Sequence, residues 1–234
     1  MTLQEIQRQL LRLKEKDFIP SRRIGATGIG HTLEQELNLT ETNLSIPDIG
    51  GRIELKATRK NSNSLVTLFT FNRSVWQMDK KEIIENYGYL DERNRRSLYS
   101  TVFYAQQNPH NLRIELDKSN HKVHLHHHSG VLLTTWSIYT IIGKFISKLE
   151  RLLVVLADSQ TNEVSGKEEF WFNEAYLLEN PLPDNFLTAF ENSQIAIDLR
   201  MHLKTTGVVR NHGTGFRIKE SDIINLYADR RKIL

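Results

Sequence analysis

Leu3, Ile6, Leu10, Leu11 and Leu13 recur at helical spacing among Gln, Arg and Lys, so the chain opens with a predicted amphipathic helix. The pattern breaks over Ser21–Gly30, where Arg22 and Arg23 precede Gly25, Gly28 and Gly30; the stretch to Leu37 predicts a loop leading into a short helix. Polar turn residues follow at Thr40–Ser45. Pro47-Asp48-Ile49-Gly50-Gly51 predicts a turn, and Arg52–Ala57 alternates polar and apolar side chains at period two, as a half-buried strand does. Ser64–Phe71 predicts a second strand. Residues 73–110 are charged and aromatic, and their weak periodicity predicts no element. Arg113–Leu116 and Lys122–Leu125 predict a hairpin across Asp117–Asn120, and Trp136–Leu149 a helix. Leu152–Asp158 is nearly all apolar, which predicts a strand buried on both faces. The remainder reads as a strand at Glu169–Tyr176, a Pro-bounded loop, a helix near Asp184–Glu191, strands at Ile195–His202 and Gly215–Ile218, and a helix from Ser221. The fold class is mixed α/β.

Composition narrows the chemistry. With 234 residues, 39% of them hydrophobic and 25% charged, the chain is in the globular range, and 5 prolines and 12 glycines leave little for a long linker, so one compact unit is expected. It contains no cysteine, which excludes disulfides, thiolate zinc sites and cysteine nucleophiles; any metal must bind through oxygen or imidazole. The first residues lack an apolar run with a small-residue cleavage site, and the uncharged stretch Ser129–Gly143 is too short and too polar to span a bilayer, so no secretion signal, no membrane contact and a cytoplasmic location are expected. The net charge of +3 is unevenly spread: from Arg200 to Lys232 there are eight basic and three acidic residues. A local basic excess of this kind suits a phosphate backbone.

Glu54 and Lys56 are two apart on a predicted strand and project from one face, while Ile53 and Leu55 point into the core. Asp48 lies just upstream across the Gly-Gly turn. Two carboxylates and an ammonium near one point suit a hard divalent cation, which takes one or two protein carboxylates and fills its shell with water and phosphate oxygen. The chemistry that follows is phosphodiester hydrolysis, with the metal polarising the phosphate and Lys56 positioning water or offsetting developing charge. Taken alone, Glu-x-Lys on a strand is equally the pattern of an ordinary surface ion pair.

Three blocks carry a more specific signal. GATGIGHTLEQEL, NLSIPDIGGRIELKATRKNSNSLVTLFT and IDLRMHLKTTGVVRNHGTGFRI resemble the MvaI/BcnI family of type II restriction endonucleases, its MvaI side in particular, within the MutH-like branch of the PD-(D/E)xK nucleases; WSIYTIIGKFISKLERLLVVLADSQ is similar too. The resemblance spans most of the chain and is thin over 73–120. It implies a restriction-endonuclease-like mixed β-sheet core flanked by helices, with two lobes around a DNA cleft: a catalytic lobe over about residues 1–130 and a recognition lobe over 131–234. It implies Asp48 and Glu54 as metal ligands, Lys56 as the catalytic lysine and Glu34 beside them. The Asp48–Glu54 spacing is one residue longer than expected of MvaI, and the Gly50-Gly51 turn absorbs the difference.

The resemblance also carries base-reading roles onto Arg200, Arg217 and His212, with Arg210 where another polar reader stands. Arg210, His212 and Arg217 surround a Gly213-Thr214-Gly215 turn, and a hairpin of this kind enters a major groove, where arginine pairs bidentately with guanine. The Thr205–Val209 loop is shorter and less basic than the family resemblance suggests. Arg22, Arg23, Arg59, Lys60 and the Arg93–Arg96 cluster are candidate phosphate or groove contacts, although a charge run is also simply a solvated face. His121, His124, His126, His127 and His128 invite a metal reading, but without adjacent carboxylates they read better as a polar surface strand.

The expectation is a Mg2+-dependent type II site-specific deoxyribonuclease, Mn2+ substituting. It would cut double-stranded DNA at a short GC-rich site of the CCWGG or CCSGG kind, nick the strands sequentially as a monomer, leave 5′-phosphate and 3′-hydroxyl ends, and have a cognate DNA methyltransferase encoded nearby. Two other readings stay open on the residues: a MutH-like nicking nuclease of mismatch repair, and a DNA-binding module without catalysis.

Overall fold

The computed structural model describes residues 2–39, 46–71 and 74–234; the turn expected at Thr40–Ser45 lies outside them. In chain order the longer elements are α1 (Leu3–Glu15), α2 (Gly28–Glu36), β1 (Glu54–Arg59), β2 (Leu65–Phe71), α3 (Lys80–Tyr87), β3 (Arg96–Phe103), β4 (Leu112–Asp117), β5 (Lys122–His127), β6 (Leu132–Ser137), α4 (Ile138–Leu149), β7 (Arg151–Thr161), β8 (Glu168–Pro181), α5 (Pro183–Glu191), β9 (Ile195–Leu203), β10 (Val209–Asn211), β11 (Thr214–Lys219) and β12 (Tyr227–Lys232). The chain divides into two compact units that interleave in sequence: residues 1–66, 146–182 and 220–234 form one, and residues 67–145 and 183–219 the other. Residue 130, the expected lobe boundary, falls inside the second unit. Among the described residues no helix is long and apolar enough to cross a membrane.

The first unit is built on a sheet in which β1 runs parallel to β7 and β7 antiparallel to β8, while Ile19–Pro20 and β12 pair with β8. Leu152–Ala157 is buried throughout, as its unbroken apolar run predicts. One face carries Leu55, Leu153, Val155, Phe172 and Leu177, which form a core with Ile6, Leu10 and Leu13 of α1 and Ile29 and Leu33 of α2. The opposite face follows from the register: Glu54 beside Leu152, Lys56 beside Val154, Thr58 beside Leu156. The core pins the strand and so fixes which way Glu54 and Lys56 point.

The second unit contains a sheet ordered β2, β11, β9, β3, with β10 also on β9, and a smaller sheet in which β5 lies between β4 and β6. The hairpin expected around Asp117–Asn120 is present, with Ile114 opposite Leu125. Ile197, Leu199, Met201, Phe216, Leu98 and Val102 occupy one face of the larger sheet and are buried, and Phe69 stacks on Phe216 at 5.0 Å beneath them. The other face carries polar side chains.

Three local expectations need correction. Trp136 and Ser137 close strand β6 rather than open a helix, because Leu132–Ser137 is held as a strand against β5; α4 begins at Ile138. The helix from Ser221 amounts to Glu220–Ile223 and a short 3-10 turn, after which the chain pairs with β8 as β12. Gly213-Thr214-Gly215 is not the turn of the basic hairpin: the reversal lies at Lys204–Val208, and β10 and β11 form one return strand along β9.

Candidate functional site

The turn from Asp48 to β1 is tight because Gly50 and Gly51 adopt φ of +59° and +69°, a region that disfavours side chains with a Cβ. The turn folds Asp48 back on the strand it precedes, so that Asp48 Oδ2 accepts the Leu55 backbone N–H at 2.9 Å. Asp48 is exposed, whereas Glu54 is only 1% exposed. Glu54 Oε1 accepts from Lys56 Nζ at 2.5 Å and lies 3.4 Å from Lys148 Nζ. Glu54 Oε2 is buried without a hydrogen-bond donor. Burial drives the Glu54 carboxyl above its ordinary value; the Lys56 ammonium opposes this, Asp48 adds to it, and Lys148 opposes it more weakly.

A buried carboxylate oxygen with no donor is costly by itself. Beside a second carboxylate, it has the chemistry to hold a hard divalent cation, so the residues present fit a magnesium or manganese ion. Among the described residues no three His, Asp or Glu side chains gather into a metal-binding cluster.

Sequence reasoning did not single out Lys148. It sits in the last turn of α4, and the carbonyl of the next residue, Leu149, accepts the buried Tyr227 hydroxyl at 3.0 Å. Burial, and then the charge of Glu54, push the Tyr227 phenol upward. Its basic character at a helix C-terminus was the available signal; its distance from Glu54 in sequence hid the contact. Glu34 is half-buried on α2, the helix packed against β1.

Of the candidate cations in the first unit, Arg22, Arg59 and Lys60 are held by protein carboxylates. Arg22 pairs with Glu36 at 2.8 Å, Arg59 makes a two-pronged pair with Glu168 at 2.5 and 2.6 Å and lies over the Phe170 ring, and Lys60 meets Glu174 at 3.0 Å. Arg23 is exposed in the loop before α2, where Gly28 is required: a Cβ there would stand 2.3 Å from the Arg23 carbonyl oxygen.

In the second unit the basic residues meet on the polar sheet face through an irregularity. Met201 pairs with Asn211 and Asp198 with Gly215, so the return strand holds one residue more than β9 between these pairs. This bulge at His212–Gly213 shifts the alternation, and Arg210 and Arg217, which differ in parity, reach the same face. Arg200 is anchored there: Nε donates to the Gly213 carbonyl at 3.2 Å and Nη2 to Thr70 Oγ1 at 2.8 Å. Gly215 lies directly under it: a Cβ there would come into ordinary contact with Arg200 Nη2 at 3.4 Å. Arg217 Nη1 donates to Asp198 Oδ2 at 2.6 Å, and Thr101 donates to the other Asp198 oxygen at 2.5 Å. Partial desolvation against the sheet, reinforced by Arg210 and Arg200, holds the solvent-exposed His212 below the ordinary histidine value. Arg210 is exposed.

Arg93 is exposed, but Arg95 is bound to Asp91 and Arg96 donates to the Glu85 carbonyl. The histidine run is not without carboxylates as its local sequence suggests. His124 Nε2 lies 3.8 Å from Asp117 and His126 Nε2 3.3 Å from Glu115, both across the hairpin on β4. These contacts make the run a paired polar strand.

The mixed sheets and flanking helices are a restriction-endonuclease-like fold. The chain matches the MvaI/BcnI restriction endonuclease family over residues 7–227 and belongs to that family; it is a site-specific deoxyribonuclease. Two solved structures are similar at 24% identity. The complex of restriction endonuclease MvaI with its cognate DNA substrate superposes with a TM-score of 0.82, covering 100% of both chains. MvaI in the absence of DNA gives 0.57, covering 100% of this chain and 99% of that one. No curated protein sequence matches the chain.

Proposed function

We propose that the chain is a divalent-metal-dependent type II restriction endonuclease that hydrolyses double-stranded DNA at a short GC-rich site, of the CCWGG or CCSGG kind. The reading is carried by one observation: the buried, donorless Glu54 Oε2 stands in a set with Asp48 and Lys56. Asp48 and Glu54 would hold Mg2+, or Mn2+ in its place, and the ion, when bound, would polarise the scissile phosphate and acidify water. Lys56, which donates to Glu54, would orient the attacking water or balance charge on the phosphorane. Glu34 stands beside this set. Products carry 5′-phosphate and 3′-hydroxyl ends.

The first unit is the hydrolytic body and the second the reading body. Arg200, Arg210, His212 and Arg217 contact base edges, and bidentate arginine–guanine pairing accounts for the GC-rich preference. Arg22, Arg23 and Arg59 contact the phosphate backbone, Arg22 and Arg59 by exchanging their carboxylate partners for phosphate. The enzyme acts as a monomer that nicks the two strands in turn, in the cytoplasm, alongside a cognate methyltransferase. The MvaI–DNA complex supports double-stranded DNA as the partner.

Digestion of plasmid and phage DNA with Mg2+, with an EDTA control, followed by sequencing of the fragment ends, tests the reading. Discrete fragments sharing one motif are expected, with nicked circles preceding linear product. Lys56→Ala is expected to abolish cleavage and keep specific binding. Intact DNA in both Mg2+ and Mn2+, or cleavage by Lys56→Ala, overturns the proposal.

A further inference from the structure

Below His212 on the polar face of the second unit is a hydrogen-bonded chain whose polarity the structure fixes. It starts at Asp91, whose Oδ1 accepts the backbone N–H groups of Arg93 and Arg95 at 3.0 and 2.9 Å, and whose Oδ2 accepts Arg95 Nε and Nη2 at 3.0 and 2.8 Å and the Ser97 hydroxyl at 2.8 Å. These donors, Arg95 foremost, hold the carboxyl well below the ordinary range, and it is a permanent anchor. The remaining Arg95 nitrogen, Nη1, lies 3.3 Å from His202 Nε2. His202 Nδ1 lies 2.8 Å from the Tyr99 hydroxyl.

A guanidinium only donates, so His202 Nε2 must accept. An imidazole that accepts at Nε2 is neutral, and its surroundings act the same way: burial, and then the charge of Arg95, with His212 and Arg210 adding, lower its pKa against the contrary effect of Asp91. A neutral imidazole that accepts at Nε2 carries its proton at Nδ1, and that proton goes to the Tyr99 oxygen. With its oxygen already accepting from His202, the hydroxyl has its own proton left to give. Tyr99 is thereby a one-way donor.

Its placement gives that donor a use. Tyr99 is directly opposite Arg200 in the β3–β9 register, half-buried, with its ring 6.5 Å from that of His212. An unrestrained tyrosine hydroxyl donates or accepts and so reads base edges ambiguously. A locked donor accepts only a base that presents an acceptor, such as purine N7, guanine O6 or thymine O4 in the major groove.

We propose that Tyr99 is a specificity-determining residue that donates to a base-edge acceptor in the major groove, its donor polarity imposed by the Asp91–Arg95–His202 relay. The proposal rests on the reading that this sheet face contacts base pairs. Arg95 and His202 act through Tyr99 and are positioning residues.

The test uses the full chain and fluorescence anisotropy in EDTA. The probes are short duplexes carrying the cleavage sequence read from fragment ends, and duplexes of the same length without it. Tyr99→Phe keeps the ring and removes only the hydroxyl. It is expected to weaken specific binding about tenfold and leave binding to sequence-free duplex within about twofold. Single 7-deazapurine, 6-thioguanine or 4-thiothymine replacements each delete or weaken one acceptor. One of them is expected to weaken the wild type by a similar factor and to cost Tyr99→Phe nothing further, which identifies the partner atom. His202→Phe, which cannot lock the hydroxyl, is expected to lower discrimination at that same position. Undiminished specific affinity in Tyr99→Phe, or equal loss on both duplexes, overturns the proposal. Arg200→Ala separates the two levels: if it too binds the site normally, the reading of this face fails, whereas loss in Arg200→Ala with none in Tyr99→Phe defeats the tyrosine alone.

Discussion

Lys148 Nζ lies 3.4 Å from the same Glu54 oxygen that Lys56 holds, so two ammonium groups from different elements flank one side of a buried carboxylate and leave its other oxygen bare. Lys56 can turn to a phosphate only if something else keeps Glu54 in place, and Lys148, carried by a helix end that Tyr227 ties down, is so placed. Lys148→Met is expected to lower the single-turnover cleavage rate about tenfold or more, equivalent to about 1.4 kcal/mol of barrier, with DNA affinity in EDTA within about twofold. Lys148→Arg should restore most of the rate. A wild-type rate in Lys148→Met would show that the contact is incidental.

Glu174 supplies a pH dependence away from the Asp48–Glu54–Lys56 set. The Tyr176 hydroxyl, and then Lys60 and Lys232, depress its carboxyl from 4.5 to about 2. A depressed carboxyl stabilises the folded chain in full above its unfolded value, and that contribution is lost as pH falls through the folded value. Glu174→Gln is therefore expected to melt below the wild type at neutral pH, with the gap closing as pH falls from 4.5 toward 2. Thermal denaturation across that range decides; a constant gap would mean that Glu174 acts by packing instead of charge.

Much of the site was legible because strand parity is a local property. Ile53 and Leu55 entered the core and Glu54 and Lys56 took the other face, as alternation around Arg52–Ala57 predicted. What alternation could not give is the burial of Glu54, because its covering groups, Lys148 and Tyr227, arrive from far along the chain. Strand β3 was illegible for a related reason: Ser97 and Ser100 are buried polar residues, and they erase the contrast that marks a strand. Strand β12 reads Tyr-Ala-Asp-Arg-Arg-Lys, too charged to suggest a sheet, yet it pairs with β8 while Ala228–Lys232 stay exposed. The bulge at His212–Gly213 depends on pairing with β9 and has no local signature beyond its glycine.

Gly28 makes the loop before α2 a sensitive point. An added Cβ would meet the Arg23 carbonyl oxygen at 2.3 Å and Ser21 Oγ at 2.6 Å, and the first is backbone that cannot rotate aside. Gly28→Ala should cost about 1–3 kcal/mol, or a Tm fall of several degrees for a chain of this size. Gly30→Ala, where a Cβ meets nothing within 4 Å, is the control and should leave Tm nearly unchanged. Equal melting of the two variants would refute the clash.

Asp198 decides how much of the basic charge on the polar sheet face of the second unit is available to DNA under the proposed reading. It accepts Arg217 Nη1 at 2.6 Å and the Thr101 hydroxyl at 2.5 Å, so Arg217 is both oriented and half-neutralised. Asp198→Asn keeps the shape and removes the charge. With its counter-ion gone, Arg217 becomes a stronger phosphate ligand and a less well aimed base reader. Sequence-free binding should strengthen and specific binding weaken, so that their ratio falls about tenfold. The slope of log K against log salt on sequence-free duplex should steepen by about 0.9, the signature of one added phosphate contact. Titrations at several salt concentrations measure both. If slope and ratio stay at wild-type values, Asp198 merely packs between Thr101 and Arg217, and the aim of Arg217 is set by the strand alone.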